Sequence, residues 1–162
     1  MSRSEVLVGI DTAPAAVAAL HWAADHALRT ESNLRAVHAL SWPFGAAVDL
    51  MTPEEAQDLS LSQLDRVYRA TLIRLFDSVR VRPDWVLQFA HGDAGPVLVE
   101  QARHAALLVV GAPSHVGLGR LVAGSVGHYV LTHARCPVVA VPNAPSPEVR
   151  PAAAAAQNQA AT

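Results

Sequence analysis

A single cysteine, Cys136, in 162 residues leaves no intramolecular disulfide and no multi-cysteine zinc site. A lone thiol at the start of an apolar run reads as a small buried residue rather than a nucleophile. Long apolar stretches are missing too: none approaches the ~20 residues that cross a bilayer. Met1-Ser2-Arg3-Ser4-Glu5 leads into a short strand instead of a signal-peptide core. Together these features imply a cytoplasmic protein with no membrane partner. Excess charge of one sign is lacking as well, with 12 Lys+Arg against 14 Asp+Glu and a net charge of -2. No basic stripe is available to neutralise a phosphate backbone, which excludes nucleic acid as a partner. Aromatics make up only 5% of a chain that is 51% hydrophobic. Its core must therefore be built mainly of Val, Leu and Ala packed between layers.

What is present is an alternation of two periods, in a chain whose length suits one domain and which has no internal repeat. Val6-Leu7-Val8-Gly9-Ile10 is a short β-branched run without helical period, as a strand buried on both faces requires, and it ends at Asp11. From Pro14 onward, Val17, Leu20, Ala24, Ala27 and Leu28 mark one face of a helix. Leu34 to Leu40 reads as a second strand, and residues 41–51, with Pro43 and Gly45, as a loop able to cover a ligand edge. Thr52-Pro53-Glu54-Glu55 has the make-up of a capping box. It opens a long helix in which Leu61, Leu64, Tyr68, Leu72, Leu75 and Val79 keep the period up to Arg82-Pro83. Trp85 to Ala90 is a third strand, and Gly92 to Pro96 a turn whose proline opens the next helix. Ala106 to Val110 is a fourth strand, Ser125 to Ala134 a helix, and Val138 to Val141 a fifth strand. The pattern predicts a doubly wound α/β domain over residues 1–142, with a parallel sheet covered on both faces. Residues 143–162, rich in Pro, Ala and Gln without apolar period, are expected to form a disordered tail.

In an open parallel sheet, ligands bind beyond the carboxyl ends of the strands where the strand order reverses. The glycine-rich stretch with Gly111, Gly117, Gly119 and Gly124 follows a buried strand and precedes the helix opened by Ser125. Free N–H groups at such a helix start, together with its dipole, favour phosphate. Known phosphate and catalytic motifs do not fit fully. Gly119 and Gly124 have Walker spacing, but no lysine follows. Ala123-Gly124-Ser125-Val126-Gly127 has a nucleophile-elbow outline without a convincing preceding strand, leaving a small hydrolase using Ser125 as a remote alternative. A dinucleotide fingerprint should follow the first strand, where this chain has Gly9-Ile10-Asp11-Thr12-Ala13. None of the eight histidines pairs with another at i,i+4, so they read as scattered core and surface residues rather than metal ligands. His115, within the turn, would face phosphate when protonated.

The order of motifs resembles the universal stress protein family over residues 5 to 142. It includes Val8-Gly9-Ile10-Asp11, Val37-His38-Ala39, Leu108-Val109-Val110-Gly111, Gly124-Ser125-Val126 and His133-Ala134-Arg135-Cys136-Pro137-Val138-Val139. The resemblance implies a five-stranded parallel sheet in the order 3-2-1-4-5, a homodimer paired through the last strand, and a role in stress response. In the ATP-binding branch a G-x2-G-x9-G-S/T motif wraps the phosphates. Carried over, the resemblance implies ATP or a related adenine nucleotide held by Gly9, Asp11, Val37, Gly111, Ser114, Gly117, Gly124, Ser125 and Val126. Mg2+ would enter only as the nucleotide's counter-ion. No residue is assigned to catalysis, and any ATP hydrolysis is expected to be slow. The chain departs from the motif at Ser114, which replaces the second glycine and follows Pro113, and Thr12-Ala13 stands where Gly-Ser is usual. Two readings result: a nucleotide-binding module, or a dimeric interaction protein of the same fold that has lost the nucleotide.

Overall fold

The computed structural model describes residues 4–40, 61–112 and 124–143. Five strands, β1 (Glu5–Gly9), β2 (Asn33–Leu40), β3 (Val86–His91), β4 (Leu107–Ala112) and β5 (Val138–Pro142), form one parallel sheet in the order β3-β2-β1-β4-β5. Among the described residues four helices pack on it: α1 (Pro14–Arg29), α2 (Leu61–Val79), α3 (Ala94–Gln101) and α4 (Ser125–His133). The expected fold class and strand order are those observed. The proposed capping box at Thr52 to Glu55, the loop at 41–51 and nearly all of the C-terminal tail lie outside the described residues.

The pleat divides the core into two layers, because successive side chains of a strand point to opposite faces. Val6, Val8 and Ile10, with Leu34 and Ala36, meet α1 and α2 through Leu20, Leu72 and Phe76. Leu7, Val37, Leu108 and Val110 face α3 and α4 through Leu98 and Val130. Alanine at positions 15, 16, 19, 23 and 27 gives α1 a shallow buried face, which lets it sit close to the sheet. The helix ends in a Schellman arrangement, Ser32 N–H to Ala27 O and Glu31 N–H to Leu28 O, with Glu31 at φ 53 where glycine is usual. At the opposite end of the sheet from the strand C-termini, Arg35 donates to both carboxylate oxygens of Glu5, to Gln88 and to Gln101, tying β1, β2, β3 and α3.

Several boundaries differ from the sequence reading. Gly111 and Ala112 belong to β4, paired with Val141 and Pro142, so the glycine-rich stretch leaves the sheet two residues later than the apolar run implies. Helix α3 starts at Ala94 rather than at Pro96; proline is tolerated in a first turn because its missing N–H has no helical acceptor there. The turn before it does use glycine conformationally, since Gly92 has φ +124. Trp85 lies just before β3 and is 1% exposed, plugging the layer beneath α2 instead of pairing in the sheet.

Candidate functional site

Strands β1 and β4 are neighbours, Val8 opposite Val109, and the helices that follow them, α1 and α4, pack on opposite faces of the sheet. Beyond their carboxyl ends lies a cavity of about 380 Å³. Gly9, Asp11, Val37, Gly111, Gly124, Ser125 and Val126 all line it, so seven of the nine residues selected from the sequence meet in one place. The other two, Ser114 and Gly117, lie outside the described residues, as do Pro113 and His115.

Two hydrogen bonds fix the end of β1. Ile10 N–H donates to Val37 O at 3.0 Å, and His38 Nδ1 lies 2.7 Å from Ile10 O. Asp11 is thereby held at the rim, where its carboxylate accepts the Ala13 N–H at 2.6 Å and turns the chain into α1. Gly111 is required by packing rather than by φ. A Cβ there would sit 2.5 Å from the Ala15 carbonyl carbon, 2.6 Å from its oxygen and 2.7 Å from Ala16 N. The missing side chain lets the first turn of α1 close down on β4 and form a wall of the cavity.

The opposite wall is the start of α4. Gly124 precedes the helix at φ -56 and ψ 173, a conformation open to any residue, so its flexibility is not what the geometry uses. His128 N–H makes the first helical bond, to Gly124 O at 2.8 Å. The N–H groups of Ser125, Val126 and Gly127 therefore lack helical acceptors, and these residues line the cavity at the positive end of the helix dipole. No Lys or Arg lines the cavity among the described residues, and Asp11 is its one carboxylate there. Among the described residues, an anion at the start of α4 would be met by these backbone donors and the Ser125 hydroxyl. Among the described residues no group of three His, Cys, Asp or Glu could hold a metal ion.

His38 and Tyr68 give the cavity a polar end that the sequence reading did not select. His38 is buried, and loss of hydration lowers its pKa, outweighing the hydrogen bond to Ile10 and the nearby Asp11 carboxylate. The ring is therefore neutral at neutral pH. A carbonyl oxygen only accepts, so Nδ1 carries the proton and Nε2 keeps a lone pair. Tyr68 packs against it with ring centroids 5.1 Å apart, and Phe89 closes the other side at 6.1 Å. Burial and the Asp11 charge push the Tyr68 phenol up, while Thr12 acts slightly in the other direction. Thr12 is close enough to polarise the hydroxyl without reaching hydrogen-bonding geometry. A tyrosine within a leucine stripe was the available signal, and the helical period absorbed it as core. Cys136 is half-buried against the second core layer, and burial raises its thiol pKa, as expected of a structural residue.

The universal stress protein family model matches residues 3–142. The chain belongs to the universal stress protein family. Universal stress protein Rv2623 of Mycobacterium tuberculosis is 33% identical over 144 residues, covering 84% of this chain and 46% of that protein. The chain thus spans about half the length of the curated universal stress proteins it matches. Among solved structures, a universal stress protein in complex with cAMP aligns with TM-score 0.56 and 21% identity, covering 89% of this chain and 100% of that one. An Arabidopsis thaliana universal stress protein family member with AMP bound aligns with TM-score 0.56 and 18% identity, covering 86% and 91%. These likenesses bear on the fold. No helix among the described residues is long and apolar enough to cross a membrane.

Proposed function

We propose that the protein is a stress-response module that binds ATP or a related adenine nucleotide in the cavity between β1 and β4, with little or no turnover. The observation that carries this reading is the convergence of Gly9, Asp11, Val37, Gly111, Gly124, Ser125 and Val126 on one cavity at the reversal of strand order. The nucleoside lies toward Asp11 and Val37, and the phosphates lie at the first turn of α4, where free N–H groups and the helix dipole favour anions. Family members with cAMP and AMP bound share the fold, which supports an adenine ligand. Mg2+ enters only with the nucleotide. The hydroxyl of Ser125 makes no hydrogen bond to a histidine or carboxylate among the described residues, which favours a binding role over a hydrolytic one.

Calorimetric titration tests this directly. ATP, ADP, AMP and cAMP are expected to bind with dissociation constants below about 1 mM, and Ser125→Ala to weaken ATP about tenfold. Absence of heat with every one of these ligands at millimolar concentration would leave the interaction-protein reading in its place.

The proposal extends to a homodimer through β5. That strand is an edge, bonded only to β4 within the described residues, and Val138, Val139, Ala140 and Val141 are half-buried rather than covered. Sedimentation velocity is expected to give twice the chain mass at tens of micromolar; a single monomeric boundary there removes the dimer.

A further inference from the structure

Building on the nucleotide reading, we infer that Tyr68 is a ligand-contacting residue of this site, donating its hydroxyl hydrogen to an acceptor atom on the nucleoside half of the bound nucleotide. Three buried side-chain polar atoms lack partners among the described residues: Asn33 Oδ1, Trp85 Nε1 and the Tyr68 hydroxyl. Asn33 and Trp85 stand away from the cavity, whereas Tyr68 lines it. Its side chain is only 4% exposed, so water does not supply the missing bond freely. A buried phenol that has only Thr12 beside it, short of hydrogen-bonding geometry, and little access to bulk water is available to a partner that arrives later.

The surroundings say what that partner presents. The neutral His38 ring beside Tyr68 offers an acceptor at Nε2, and Tyr68 offers a donor. A ligand edge carrying an amino group next to a ring nitrogen, as an aminopurine does, complements both groups. Asp11, electrostatically coupled to both side chains, adds a carboxylate suited to a ligand N–H or O–H. Tyr68 is presented by α2, from the face of the sheet opposite α3 and α4, so it reaches the end of the cavity away from the phosphates. The partly buried Thr12, which lies beside the hydroxyl, must shift when the ligand atom arrives.

Titration of wild type and Tyr68→Phe with adenosine, AMP and ATP, together with the melting temperature of each ligand-free protein, tests the inference. Tyr68→Phe is expected to weaken all three ligands by a similar factor of about ten, because the lost contact is to the part they share. It is also expected to raise the melting temperature of the free protein by a few degrees, since an unpaired buried hydroxyl is removed. Unchanged affinity, as an ordered water on the hydroxyl would give, overturns the inference. So does a lowered melting temperature in the free variant, which marks a structural hydrogen bond, or a loss confined to ATP, which marks an effect on the phosphates. If wild type binds none of the three at millimolar concentration, the nucleotide reading fails first and the inference with it.

Discussion

Gly111→Ala is expected to destabilise the protein by about 3 kcal/mol, at the upper end for overpacking, and to lower its melting temperature by about 10 °C. The added carbon would lie 2.5 Å from the Ala15 carbonyl carbon, where the obstacle is backbone and no rotamer change relieves it. Either β4 or the first turn of α1 must move, and the latter carries the cavity wall formed by Ala13, Ala15 and Ala16. Nucleotide affinity should therefore fall along with stability, by more than tenfold if α1 is displaced by a substantial fraction of an ångström. Thermal unfolding and calorimetry on the same preparation check both effects. A melting temperature within about 2 °C of wild type would mean that the contact relaxes at little cost, and the argument for close packing would be lost.

Trp85→Ala is expected to cost about 3–5 kcal/mol, because the ring is fully buried in the layer beneath α2 and its removal leaves a cavity that the helix cannot fill. Denaturant unfolding should show a lower midpoint with an unchanged slope. Trp85→Phe separates volume from polarity. The indole N–H has no acceptor among the described residues, so the phenylalanine variant forfeits little hydrogen bonding and should lose only about 1 kcal/mol. Equal losses in both variants would show that the N–H is satisfied and matters. Trp85 does not line the cavity, so nucleotide affinity of either folded variant should match wild type.

The sheet was legible because both of its signals are local. Short apolar runs at Val6 to Ile10 and Ala106 to Val110, alternating with helical stripes, already dictate a parallel α/β layer, and the family resemblance adds the strand order. The convergence of seven candidate residues on one cavity was legible in part because strand ends and helix starts are sequence features, and in part through the family resemblance, which supplied the choice of residues. What could not be read was whatever depends on distance between faces. The packing reason for glycine at 111 lies in α1, almost a hundred residues earlier, and not in φ. Tyr68 keeps the helical period of Leu64 and Leu72, so its pattern says core, while its hydroxyl acquires meaning only beside His38 and the end of β1. The start of α3 at Ala94 was missed because proline is permitted, not required, at a helix's opening position.

The pairing of β1 with β4 also constrains when the site can exist. Val6 must meet Leu107, about a hundred residues along the chain, and that seam is the floor beneath the cavity. Strands β1 and β2 with their helix can associate early, since their contacts are closer in sequence and the loop to close is short. The two walls come together only once β4 has added to the free edge of β1 and α4 has followed. During synthesis the amino-terminal half therefore leaves the ribosome with one edge of β1 unpaired, and binding competence is among the last properties the chain acquires.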